Sequence, residues 1–331
     1  SQSASDFSFF DPLLYFSQRD CVIVVNASAA PTSAVHCNPR AWLAVWTLSR
    51  REITRFLRQR SRLIGALATP IMFWVLFGAG LHDSFQTPDW MAGATSYRAY
   101  FLPGITALIL MFTAIFSAMS IIEDRHEGFL QGVLVSPVSR SSLVMGKVAG
   151  GVFMAVVQAL MFVGLGWLMG RVGLADDLIF AVGPGQLALL VLFMTVVAFG
   201  LTSLGFMLAW KLDSIQGFHA IMNVFLMPMW LLSGAFFPAA QSGPLSWIMK
   251  LNPLSYGVAG IRRLLFDGTA DRAVESSVTG PPALWLCFLM SAIFAVLCFQ
   301  GAVWQARRDR VPVRRPGSQR RVANPAGGNA A

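Results

Sequence analysis

The side chains able to do chemistry are few and far apart: 331 residues hold 4 His, 4 Cys and 16 Asp and Glu. His36, His82, His126 and His219 fall in separate stretches, with no His-Glu-x-x-His pair to hold a zinc ion and no Gly-x-Ser-x-Gly elbow to expose a nucleophile. The one dense group is Glu123, Asp124, His126 and Glu127, whose types suit a metal ion; in a water-exposed loop the same group reads first as a solvated charge cluster. A phosphate-holding loop requires Gly-x-x-x-x-Gly-Lys-Ser/Thr, because backbone amides and the lysine must wrap the anion. Gly146-Lys147 is followed by Val148 and lacks the earlier glycine. Cys287 and Cys298 are separated by about 16 Å of helical rise, too far for a disulfide.

The elements that would have to position such groups are apolar. Of all residues, 55% are apolar and 12% charged, about half the charge of a soluble domain, which excludes an ordinary cytosolic enzyme. The apolar residues gather in six blocks, Leu63–Leu81, Phe101–Ile122, Leu143–Met169, Leu187–Trp210, Phe218–Phe237 and Ala283–Trp304. About 20 residues at 1.5 Å each cross about 30 Å of hydrocarbon. Lipid offers no hydrogen-bond partners to an open backbone, and barrel strands would alternate in hydrophobicity, so these blocks must be helices. The fold class is an all-α polytopic membrane protein with six transmembrane helices.

Six crossings put both termini on one side. Nineteen of the 25 Lys and Arg fall on that side and six on the other, which places the termini in the cytoplasm. The same asymmetry accounts for the net charge of +9 without a nucleic-acid partner. Mid-membrane polar residues are of the kind of Gln158, Thr195 and Asn223, none of them ionisable, so no side chain sits where a coupling proton would ride. The energy source then lies outside the bilayer, and if it is ATP a separate subunit must bind it.

Between the blocks, residues 1–39 read as a weakly ordered cytoplasmic extension and 309–331 as a disordered basic tail, leaving 40–308 as the transmembrane domain. Trp42, Val45, Trp46, Ile53, Phe56 and Leu57 share one side of a helix with Arg50, Arg51, Arg55, Arg58 and Arg62 elsewhere, the pattern of an interfacial helix. A short helix is expected over Glu127–Val135, stopped before Pro137. Leu245–Leu251 and Ser255–Phe266, joined at Asn252-Pro253, suit two short helices dipping into the outer leaflet. Gly146 and Gly150 permit a close helix approach, for which packing inside the bundle is the first expectation and a subunit interface the second.

Several of these pieces together resemble a known family. They are Arg51-Glu52, Phe77-Gly78-Ala79-Gly80-Leu81, Tyr100-Phe101-Leu102-Pro103-Gly104-Ile105, Asp124-Arg125-His126-Glu127-Gly128 with Ser136-Pro137-Val138-Ser139-Arg140, and Asn252-Pro253-Leu254-Ser255-Tyr256 followed by Gly260, Ile261 and Arg262. Over Trp42 to Arg308 the chain resembles the type 2 ABC exporter permeases, membrane subunits of bacterial drug, polysaccharide and lipid exporters.

The resemblance implies six spans in the bacterial inner membrane with cytoplasmic termini, a homodimer or heterodimer of permeases, and a soluble ATP-binding cassette ATPase that carries the ATP and Mg, with no cofactor bound by this chain. It implies that Glu123, Asp124, Arg125, Glu127, Gly128, Phe129, Leu130 and Leu134 meet that ATPase, beside an N-terminal helix bearing Trp42, Trp46, Arg51, Glu52 and Arg55. Asn252, Pro253, Tyr256 and Arg262 would lie in an outward-facing re-entrant segment, and Phe73, Phe112, Phe116, Asn223, Phe225 and Met229 would line the path. The implied activity is export of an amphiphilic or hydrophobic substrate by alternating access, in a chain that is not itself an enzyme. Two other classes remain open. A membrane-embedded transferase would need clustered His, Asp or Arg, and a regulatory or assembly protein would keep the spans without an ATPase.

Overall fold

Backbone groups that lipid cannot satisfy drive the apolar blocks into helices. The computed structural model describes residues 21–23, 35–37, 41–58, 60–80, 97–136, 138–173, 183–236, 244–266 and 283–308. In chain order the helices are α1 Ala41–Arg58, α2 Arg60–Gly80, α3 Tyr97–Ser117, α4 Ser120–His126, α5 Phe129–Val135, α6 Arg140–Arg171, α7 Pro184–Lys211, α8 Ile215–Leu231, α9 Pro244–Leu251, α10 Pro253–Phe266 and α11 Leu284–Arg308. Ahead of them, β1 Cys21–Ile23 and β2 Val35–Cys37 pair antiparallel. The rest of the N-terminal extension and the basic tail lie outside the described residues, as does Pro137.

Among the described residues, four helical stretches can cross a membrane by length and composition: Tyr97–His126 (α3 with α4), α6, α7 and α11. The other two apolar blocks are shorter as helices. In α2 the apolar part is Leu67–Gly78, and α8 is apolar over Ile215–Leu231. The fifth block does not stay helical to Phe237. Pro228 sits in the last turn of α8, and the chain then turns back, with the Leu232 amide donating to the Pro228 carbonyl and the Ser233 amide to that of Trp230.

The α3 helix is the centre of the bundle. Its most apolar window is 83% buried, against 28% for α11, so α3 packs on protein on nearly all sides while α11 is an outer helix leaning on α7 and α10. Around α3 stand α2, α6, α7 and α10. The end of α3 bends into α4 at Ala118-Met119 without leaving the helical path.

Two local sequences set the ends that matter below. Gly128 has φ of 77°, the left-handed conformation that glycine adopts without side-chain strain. It ends α4 and starts α5, so the expected helix over Glu127–Val135 begins only at Phe129, and Glu127 instead closes the last turn of α4. Ser139 and Ser214 act as N-caps of α6 and α8, their hydroxyls accepting from the amides of Ser142 and Gly217.

Candidate functional site: the junction of α1, α4 and α6

The first helix packs closely on α6 because Gly146 and Gly150 stand where the two backbones meet. A Cβ at Gly146 would lie 2.8 Å from the Leu48 Cβ, and one at Gly150 2.7 Å from that of Glu52. The Ser49 hydroxyl donates to the Gly146 carbonyl at 2.8 Å. The Gly-x-x-x-Gly pair therefore serves packing inside the chain, the first of the two expectations.

Only part of the apolar side of α1 is buried in the bundle. Ala44, Leu48, Ser49 and Phe56 are buried, while Trp42 and Trp46 stack on each other at 5.9 Å and stand exposed. The arginines divide as well: Arg50 and Arg58 point out, whereas Arg51 and Arg55 point into the bundle. They do so because α4 supplies carboxylates there.

Asp124 is the hub. It is 0% exposed and accepts four hydrogen bonds from three side chains on two other helices. Arg51 Nη2 donates to Oδ1 at 2.8 Å and Nη1 to Oδ2 at 3.1 Å, Arg55 Nη1 donates to Oδ1 at 2.7 Å, and Lys147 Nζ donates to Oδ2 at 2.5 Å. Lys147, itself buried near the start of α6, also donates to Glu52 Oε1 at 2.8 Å and the Ser120 hydroxyl at 3.2 Å. Arg55 Nη2 further pairs with Glu123 at 3.1 Å and Glu127 at 2.9 Å. Burial works against the charge on Arg55, but Asp124, Glu123, Glu127 and Glu52 outweigh it and raise its pKa above the ordinary value. A buried charge is tolerable only when paired and hydrogen-bonded in this way. The cluster ties α1, α4 and α6 into one body.

The α4–α5 elbow carries most of the other expected contact residues. Arg51 lies over the Phe129 ring at 3.7 Å, a cation–π contact. Leu130 is buried, and Phe129, Val133 and Leu134 pack against the same core. What the elbow presents outward is His126, Glu127, Gly128, Gln131, Gly132 and Val135, the last 82% exposed.

Sequence reasoning did not assign partners to two neighbours of Asp124. Arg125 donates to the Trp210 carbonyl at 2.6 Å, the Leu212 carbonyl at 3.3 Å and Asp213 Oδ1 at 2.7 Å. His126 Nε2 lies 2.8 Å from the Asp213 carbonyl oxygen. Both side chains reach the turn between α7 and α8. Among the described residues, no group of three His, Cys, Asp or Glu is placed to hold a metal ion.

At the opposite end of the bundle, α9 and α10 form the expected pair of short helices. Asn252 makes the corner between them. Its Nδ2 donates to the Met229 carbonyl at 2.6 Å and its Oδ1 accepts from the Leu254 amide at 3.0 Å, with Pro253 as the first residue of α10. Tyr256 donates to the Lys250 carbonyl at 2.9 Å. Arg262 is buried, 4.4 Å over the Tyr100 ring, and donates to the Gly234 carbonyl at 3.1 Å, which also accepts from the Tyr100 hydroxyl at 2.9 Å. Trp230 donates to the Gly104 carbonyl at 2.9 Å.

The expected path residues fall in three places. Phe73 stacks on Phe77 in α2. Phe112 and Phe116 meet in α3, and Phe116 touches His219 of α8 at 5.2 Å between ring centres. Asn223 and Phe225 project from α8 exposed, and Met229 is half-buried.

Comparison with known proteins joins these pieces. A family model described as ABC-2 type transporter matches residues 43–266, from α1 to the end of α10. A Porphyra purpurea protein named as a transport permease, ycf38, is 30% identical over 235 residues, 70% of this chain and 76% of that protein. The daunorubicin resistance ABC transporter permease protein DrrB1 of Streptomyces coeruleorubidus is 26% identical over 252 residues, 75% of this chain and 81% of the relative. Nodulation protein J of Rhizobium meliloti is 25% identical over 239 residues, 70% of this chain and 84% of the relative.

Proposed function

The chain belongs to the ABC-2 type transporter family and is a membrane permease of an ABC transporter, and from that premise we propose that it exports an amphiphilic or hydrophobic substrate, driven by a separate ATP-binding cassette ATPase. The name of the DrrB1 relative, a daunorubicin resistance permease, favours a drug-like cargo. In this reading α2 and α8 complete six crossings of a bacterial inner membrane. They are flanked by an interfacial α1, cytoplasmic termini and a re-entrant α9–α10 on the outer side. Two permeases pair so that α2, α3 and α8 flank a path bearing Phe73, Phe112, Phe116, Asn223, Phe225 and Met229. ATP and Mg belong to the partner.

The observation that carries the reading is the α4–α5 elbow. Its outer surface carries the exposed Gln131 and Val135 beside Glu127, which is held only by an ion pair with Arg55, while its root, Asp124, is locked to α1 and α6. A push on the elbow by an ATPase changing shape would therefore move α1, α4 and α6 together, and a bundle with two packings would switch between inward- and outward-open states. The contact would form around Glu123, Glu127, Gly128, Phe129 and Leu134, with Trp42 and Trp46 holding α1 in the headgroup plane.

The test is to purify the tagged permease from membranes at native expression and identify the chains that come with it. A soluble chain with a phosphate-binding loop at near-equal amount is the expected result. Its absence, after crosslinking as well, overturns the reading.

A further inference from the structure

Arg125 and His126 sit on the elbow's root, yet they bond away from the elbow's outer surface. Arg125 uses its guanidinium fork on three acceptors at once: the carbonyls of Trp210 and Leu212 at the end of α7, and the carboxylate of Asp213. Two of those acceptors are among the last carbonyls of a helix, groups left without intrahelical donors and favoured by a cation. The guanidinium also lies 5.9 Å from the Trp210 ring centre. His126 holds the carbonyl of Asp213, and the next residue, Ser214, is the N-cap of α8. From the carbonyl that His126 grips to the first turn of α8 there is no slack.

We propose that Arg125 and His126 are positioning residues that carry the elbow's movement into α8 through the α7–α8 turn, instead of contacting the ATPase. The proposal rests on the exporter reading above and adds a route to it. The ion cluster at Asp124 moves α1 and α6 with α4, and the adjacent Arg125–Asp213 clasp moves the N-terminus of α8, the helix that bears Asn223 and Phe225. The fork divides the work, Nη2 taking the Trp210 carbonyl and Nη1 the Leu212 carbonyl and Asp213, where a lysine would have to reach all three from one nitrogen.

The experiment uses the permease with its co-purified ATPase, the four native cysteines replaced, and a reporter cysteine at the exposed Ala220, one turn into α8. Labelling by a water-soluble maleimide is compared in the nucleotide-free and vanadate-trapped states. With Arg125 intact, the labelling rate is expected to differ by about fivefold or more between the states, the lower range of allosteric coupling. In Arg125→Ala that difference collapses while the ATPase still co-purifies and still hydrolyses ATP, and Arg125→Lys restores only part of it. Loss of the ATPase from Arg125→Ala, with folded yield unchanged, makes Arg125 a docking residue and overturns the proposal. An unchanged labelling difference with the ATPase bound overturns it too. If Arg125→Ala lowers folded yield, Asp213→Ala, which removes the acceptor from an 85% exposed side chain, reads the same coupling and is expected to weaken it. A complex in which Arg125 is intact but labelling ignores nucleotide overturns the exporter reading itself.

Discussion

The two ends of the bundle each bury a cation, and they hold it differently. At the α1–α4–α6 end, Lys147 and two arginines converge on Asp124, a buried carboxylate with four donors. At the α9–α10 end, Arg262 lies over the Tyr100 ring and donates to the carbonyl of Gly234. Removing a charge from the first arrangement strands its opposite in a poorly solvated site, whereas removing Arg262 from the second leaves the Gly234 carbonyl with another donor in Tyr100. The first end ties three helices together through shared charges. The second is held by directional contacts to carbonyls and a ring.

The largest effect should come from Asp124→Ala. It leaves two guanidiniums and an ammonium together, a loss of about 3–5 kcal/mol, read as a lower unfolding midpoint in detergent, and adding Lys147→Met should recover part of that loss. Arg262→Met should cost less, about 2 kcal/mol from a cation–π contact and a charged hydrogen bond. An equal or greater loss than for Asp124→Ala would break the comparison. Tyr100→Phe, which removes one donor to Gly234, should cost about 1 kcal/mol in the same assay. Glu127→Gln should leave the midpoint unchanged, because its bond to Arg55 is at the surface, while lowering ATP hydrolysis by the assembled complex if Glu127 meets the ATPase.

Legibility in the sequence followed chain distance. The corner at Asn252-Pro253 and the apolar cores of α3, α6, α7 and α11 were readable because their causes are local: a turn dipeptide, a side chain capping its own neighbour, and runs of about 20 apolar residues. The break at Gly128 was missed because a glycine in a helical pattern does not announce which way φ will go. The ion cluster was missed because Arg51 and Asp124 are 73 residues apart, and Arg125 and Asp213 are 88 apart. Periodicity put Arg51 and Arg55 with Arg50 and Arg58 off the apolar side without saying which of them would meet a partner. The carboxylates of α4 pulled the first two inward, and the tryptophans took the outer face. The one available hint was Lys147, the only charged residue in the third apolar block, between two glycines that leave room for a neighbour.

The central claim is that the charge-locked end is the one the ATPase grips. A photocrosslinking residue placed at Val135 and, separately, at Trp247, both well exposed on opposite ends of the bundle, decides it in native membranes. Position 135 is expected to capture a chain that binds ATP, and position 247 is not. Capture of that chain from 247, or from neither position while the ATPase co-purifies, would contradict it.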